Sequence, residues 1–150
     1  MSVSPEEAAL DILETIPMVM RLLRAEMRRH RQLGLSVVQF WTLAFLNSQP
    51  GASLNSLAEH LGLTPASTSK LVDGLVGREL VERGESAEDR RRITLNLTKP
   101  GFSVWEAAFL HTQAFLAKRF TVLSEAERET LRSSMRLLHP LFEEEEFLKR

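Results

Sequence analysis

A chain of 150 residues with 43% apolar and 26% charged content is long enough to bury a real core and is most simply one domain. Its net charge of -1 supplies no global basic field, and the absence of cysteine excludes disulfides, thiolate metal sites and thiol redox sensing. No apolar run approaches the roughly 18 residues of a membrane span and the N-terminus lacks a basic-then-apolar leader, so a cytoplasmic chain is expected.

Ser4-Pro5-Glu6-Glu7 is a helix start with its parts in place: a hydroxyl cap, Pro first, and a Glu able to reach back to the cap N–H. Leu10, Leu13, Ile16, Met20, Leu23 and Met27 follow at three- and four-residue spacing, a narrow seam suited to another helix. It runs to about Arg31, with a kink expected at Pro17. Arg21, Arg24, Arg28, Arg29 and Arg31 make its second half basic, which reads as a solvated face or as partners for the acidic C-terminus. Leu33-Gly34-Leu35 breaks the pattern. Ser36 then caps a helix running to about Asn47, rich in apolar surface from Val38, Trp41, Leu43, Phe45 and Leu46, and Gln49-Pro50-Gly51 closes it.

Residues 53–98 read as a winged helix-turn-helix. Leu54, Leu57, Ala58 and Leu61 form a small apolar stripe, and Gly62 stands where one helix ends before the next begins. Thr64 can cap the second helix, expected over residues 65–78, and Pro65 suits its first position, where a missing N–H costs nothing. Thr68, Leu71, Val72, Leu75 and Val76 make its buried stripe. The opposite face carries Ala66, Ser67, Ser69, Lys70, Asp73 and Gly74, short side chains with one cation, which would let the helix approach a major groove closely. Taken alone, that pattern also fits an ordinary amphipathic surface helix.

Leu80-Val81 leads into Glu82-Arg83-Gly84, a polar tip follows, and Ile93-Thr94-Leu95-Asn96-Leu97-Thr98 alternates with period two, as in a hairpin strand with one face in the core. The tip, residues 84–92, is the wing. The segment is not basic overall: Lys70, Arg78, Arg83, Arg90, Arg91 and Arg92 face seven anions, Glu59, Asp73, Glu79, Glu82, Glu85, Glu88 and Asp89. Any case for nucleic acid therefore rests on placement, with three consecutive arginines at the wing and Lys70 on the exposed helix face.

Thr98-Lys99-Pro100-Gly101 opens a long helix carrying Val104, Trp105, Ala108, Leu110, Ala114, Phe115 and Val122. Ser124-Glu125-Ala126-Glu127 is a second capping box, and Leu131, Met135, Leu138 and Phe142 make the last helix amphipathic. The expected fold is mainly α with a small β wing: a winged helix-turn-helix in residues 36–98, plus N- and C-terminal dimerisation helices in residues 4–32 and 99–148. Three long striped helices outside the winged segment exceed what one compact copy buries, so a homodimer is expected.

His30, His60, His111 and His139 are scattered and lack paired or HExxH spacing, so no metal site is expected and surface or core-edge roles are assigned to them. There is no Gly-rich phosphate loop, nucleophile elbow or suggestive carboxylate pair, and residues 143–146 read as a solvated acidic face. Neither an enzyme nor a cofactor is expected.

Across nearly the whole chain these parts resemble the multiple-antibiotic-resistance regulator (MarR) family of transcription factors. The matching stretches are residues 36–46 with Gln39 and Leu43, Leu57-Ala58 with Leu61-Gly62-Leu63, Lys70-Leu71-Val72-Asp73-Gly74-Leu75, Leu80-Val81-Glu82-Arg83, and above all Asp89-Arg90-Arg91 followed by Leu95-Asn96-Leu97-Thr98 and Gly101. The resemblance implies a homodimeric repressor, released by a small-molecule ligand, whose partner is double-stranded DNA with a palindromic operator. On that implication Pro65, Ala66, Ser67, Ser69 and Lys70 face DNA, with Lys70 on phosphate and Ser67 or Ser69 near base edges. Arg91 enters a minor groove, Arg90 lies on phosphate or the groove beside it, and Asp89 orients a wing arginine through a salt bridge.

The resemblance further implies a crevice for a small aromatic or apolar effector, with Met20, Met27, Trp41, Phe45, Trp105 and Phe109 as candidate lining, although plain core is the favoured reading at each position. One position departs from the pattern: Glu79 stands where Gly is common after the recognition helix. Either the helix ends differently, at Gly77, or no positive φ is needed there. The alternative to a DNA-binding regulator is a winged-helix module for ligand sensing or protein interaction.

Overall fold

A computed structural model describes residues 2–30 and 34–143. Arg31 and Leu33 of the first helix and its break, Glu144, Glu145 and Glu146 of the acidic run, and residues 144–148 of the expected dimerisation part lie outside the described residues. Of the described residues 71% are helical, and one two-stranded antiparallel sheet accompanies them. In order it forms α1 (Pro5–Arg29), α2 (Val37–Ser48), α3 (Leu54–Leu61), α4 (Pro65–Gly77), β1 (Val81–Glu85), β2 (Ile93–Leu97), α5 (Lys99–Phe120) and α6 (Glu125–Leu138), followed by a 3-10 turn at His139–Phe142. No helix among the described residues is long and apolar enough to cross a membrane.

Local sequence sets the helix starts. Ser4, Ser36 and Ser124 each accept a hydrogen bond from the N–H three residues on, while Glu7, Gln39 and Glu127 answer the cap's own N–H. Two hydrogen bonds from Ser124 to Glu127, backbone first, hold that carboxyl below its ordinary pKa. α3 ends in Gly62 at φ 66, a left-handed cap that costs glycine nothing.

The chain divides into two compact units, residues 1–112 and 113–150. In the first, α3 packs on α2 and α4, α2 on β2, and α4 on β1. Leu43, Leu57, Val72, Leu75 and Leu95 are sealed from solvent at the centre of this cluster. β1 and β2 pair from Val81↔Leu97 to Glu85↔Ile93, and Ala52 adds an isolated bridge to Leu95. The alternation expected for the second strand therefore centres on Leu95. Ile93, expected on the core face, is 54% exposed, because it pairs at the far end of a hairpin that projects beyond the core.

α1 carries its seam through Pro17 with burial that grows toward its C-terminus: Leu10, Leu13 and Ile16 are exposed, Met20 and Leu23 half-buried, and Glu26 and Met27 buried. In the second unit α6 buries no residue, and Leu137 and Phe142 stand open. Val122, expected on α5, lies in the turn beyond its end and is 85% exposed.

Candidate nucleic-acid interface

Thr64 caps α4 by accepting from the Ser67 N–H at 3.1 Å, and its hydroxyl donates to Ser67 Oγ at 3.0 Å. The Ser67 oxygen is thereby occupied as an acceptor while its own O–H remains to donate outward. Thr68, Val72 and Leu75 are buried, which fixes the rotation of α4 and leaves Pro65, Ala66, Ser67, Lys70, Asp73 and Gly74 exposed, with Ser69 half-buried beside them. Five of the residues read from sequence as DNA-facing, Pro65, Ala66, Ser67, Ser69 and Lys70, thus share one face.

Asp73 on that face would repel phosphate, but Arg83 of β1 pairs with its carboxylate, so the exposed face of α4 keeps Lys70 as its uncompensated charge. Sequence reasoning assigned Arg83 no role, because a partner in the neighbouring strand has no fixed spacing along the chain.

The junction at Glu79 decides between the alternatives left by the sequence: the early helix end holds, and the reading that no positive φ is needed there is overturned. α4 does end at Gly77, and Glu79 nonetheless takes a left-handed conformation, φ 59, the only non-glycine residue to do so among those described. The Leu80 N–H bonds Leu75 O at 3.0 Å and the Glu79 N–H bonds Val76 O at 2.9 Å, the paired bonds of a Schellman termination. Thr98 clamps it: its hydroxyl donates to Glu79 O at 2.6 Å and accepts from the Gly101 N–H at 3.0 Å, while its N–H reaches Leu80 O. A side chain at Gly101 would collide with the Leu80 carbonyl, so the start of α5 lies directly against the end of α4. At the same junction Arg78 donates to Gly34 O at 2.6 Å, tying the end of α4 to the segment before α2.

At the wing tip, Arg90, Arg91 and Arg92 are exposed and form no ion pair among the described residues. Asp89 corrects its sequence-based role. It makes no salt bridge to a wing arginine; its Oδ1 accepts from the Arg91 backbone N–H at 2.9 Å and its carbonyl accepts from Arg92 N–H at 3.0 Å. A short Asp bonding its own chain two residues on is a turn-former, so it shapes the tip through the backbone and leaves the guanidinium groups free. Ser86 N–H closes the loop on Arg92 O at 3.0 Å.

The six candidate pocket residues do not assemble into one lining. Met27 and Phe45 are buried in the core, and Phe45 stacks on His60 with ring centroids 4.4 Å apart. Trp41 and Phe109 are exposed and Met20 half-buried. Met27 alone of the six lines the cleft of about 480 Å³ between α1 and α2, beside Arg24, Arg28, Leu35 and Val37. Along α5, Phe102, Trp105 and Phe109 form a tilted aromatic row, and the buried Trp105 indole N–H has no acceptor among the described residues.

The histidines lie at the surface or the core edge, as expected: His60 and His139 are exposed and separate, while the half-buried His30 and His111 both meet Glu26, at 2.9 and 3.2 Å. Their sequence separation hid that convergence, which depends on the end of α1 meeting α5 at His111.

A family model described as MarR family matches residues 33–92, the span from the start of α2 through the wing tip. The repressor MdtR of Bacillus subtilis is 25% identical over 125 residues, covering 83% of this chain and 81% of that protein. The crystal structure of RV1404 from Mycobacterium tuberculosis superposes with a TM-score of 0.75 at 27% identity, covering 91% of this chain and 93% of the other. A point mutant of MepR from S. aureus, bound to an oligodeoxyribonucleotide, does so with a TM-score of 0.58 at 27% identity over 85% and 98%. These relatives and the fold are those of transcriptional regulators rather than enzymes. In its winged helix-turn-helix and in these likenesses together, the chain is similar to the MarR family of DNA-binding transcriptional regulators.

Proposed function

We propose that this chain is a transcriptional regulator of the MarR type, a homodimeric repressor that reads a palindromic operator with α4 and the wing and is released by a small-molecule ligand. The observation that carries the reading is the pairing of a shallow, exposed α4 face with three unpaired arginines at the wing tip. In this reading Pro65 and Ala66 lie against the DNA, Ser67 and Ser69 donate toward base edges and Lys70 meets phosphate. Arg91 enters a narrow minor groove, Arg90 lies on the backbone beside it, and Asp89 holds the turn that presents them. Residues 36–98 are then the DNA-binding part.

Support for the dimer comes from the exposed apolar residues of α1 and of residues 113–143, which water disfavours and a second copy would cover. Residues 4–32 and 99–148 form the dimerisation part, and a two-fold dimer calls for half-sites one helical turn apart. The unpaired Trp105 N–H within the aromatic row of α5 supports a flat apolar effector that carries an acceptor. Such a ligand would act by preferring the dimer whose two recognition helices misfit the operator spacing.

A gel shift against the DNA upstream of its own gene, at two salt concentrations, tests the reading. Specific retardation that weakens at higher salt is expected. No retardation at either concentration would refute operator binding and favour a winged-helix module that senses ligands or proteins without DNA. A monomer at micromolar concentration in sedimentation would refute the dimer.

A further inference from the structure

We propose that Glu26, His30 and His111 form a binding site for a divalent first-row transition ion of the zinc class, stapling the last turn of α1 to α5. The site is independent of the operator reading. Glu26 and His30 stand one helical turn apart on α1, and His111 arrives from α5, 85 positions beyond Glu26 in sequence. Both imidazole Nε2 atoms converge on Glu26 Oε1, at 2.9 and 3.2 Å, and one ligand atom from each residue lies within 4.8 Å of the others. The rings lie 4.2 Å apart and are inclined by 56°, so both face the same point without stacking flat.

Donor spacing is already close to what chelation needs. Around a tetrahedral ion with bonds of about 2.0–2.1 Å, neighbouring donor atoms sit about 3.3 Å apart; the two imidazole–carboxylate separations are already near that value, and the two imidazole donors lie within 4.8 Å of each other. Burial is graded in the useful direction. Glu26 is 8% exposed and fixed inside, while the two histidine side chains are about one-third exposed at 33% and 32%, which gives an ion an entry path. Three protein ligands leave a fourth position for water or an outside donor.

Two imidazoles and one carboxylate without thiolate select a borderline ion such as Zn2+, with Cu2+ and Ni2+ as competitors. Mg2+ and Ca2+ prefer all-oxygen sites. To bind the ion, each ring would turn an Nε2 lone pair to it and carry its proton on Nδ1. The consequence is mechanical: the ion pins the end of α1, just before the chain passes to α2, against α5.

Titration of the full chain with Zn2+ by calorimetry, and with Co2+ by visible absorption, tests the site. Expected are one ion per chain with Kd below about 10 μM, ligand-field bands of a low-coordinate cobalt centre, and a higher Tm with Zn2+. Glu26→Gln and His111→Ala should each weaken binding at least about tenfold. His139→Ala, at the surface pair with Glu143, should leave it unchanged. Saturable binding that is absent, or that survives both Glu26→Gln and His111→Ala, overturns the proposal. Should those variants fail to fold, X-ray absorption on the zinc-loaded wild type decides alone: scattering from two imidazoles supports the site, and its lack overturns it.

Discussion

The winged segment and the terminal helices solve the same problem, covering an apolar stripe, in opposite ways. α3, α4 and β2 bury Leu57, Val72, Leu75 and Leu95 almost completely against α2 and one another. By contrast the first half of α1 leaves Leu10, Leu13 and Ile16 open, and α6 buries nothing. The stripes are equally regular in sequence, so periodicity identifies a face that wants covering without saying what covers it. One region is complete in a single copy and can hold a rigid reading surface. The other has its apolar surface still to bury, which is where the proposed partner copy belongs.

The largest effect should come from the tightest point of the self-contained region. Gly101→Ala drives a methyl group into the Leu80 carbonyl and should cost about 3 kcal/mol or more, read by urea denaturation; a loss under 1 kcal/mol would show that the α4 and α5 ends can separate. Next, Arg91→Ala should reduce operator affinity by about 1–3 kcal/mol with Tm unchanged, and equal affinity would remove the wing from the interface. Glu79→Gly relieves a left-handed glutamate and should raise stability by about 1 kcal/mol, a gain confined to the winged segment; a loss would mean the Glu79 side chain has a partner in solution.

Smaller still, Arg83→Ala exposes the Asp73 carboxylate on the α4 face. Operator affinity should fall by about 1 kcal/mol, with recovery in the Arg83→Ala, Asp73→Ala double variant, while folding stability moves by less than that, as for any exposed pair. In the terminal region the smallest effect is a pH dependence. The folded pKa of Glu127 is lowered, so its contribution is present above the unfolded value and is lost as pH falls through the folded one. Glu127→Gln should remove that acid-side slope and leave the start of α6 slightly less stable at neutral pH. Hydrogen exchange at the start of α6, followed through the carboxylate range, reports it.

Much was legible from sequence alone because its causes are local. Caps at Ser4, Ser36, Thr64 and Ser124, the Gly62 turn and the stripe of α4 depend on residues three or four apart, and the exposed α4 face follows from them. Tertiary structure decided what no spacing encodes. Asp73 is neutralised from β1, Glu79 is held left-handed by a clamp from Thr98, and Asp89 spends its carboxylate on a backbone turn rather than on a guanidinium. Above all, His30 and His111 meet at Glu26 although 81 positions separate the two rings, because packing brings the end of α1 against α5 at His111. Hydrogen bonds within a turn are written in the order of residues; the meeting of side chains from distant helices is set only once burial of the core has fixed where those helices lie.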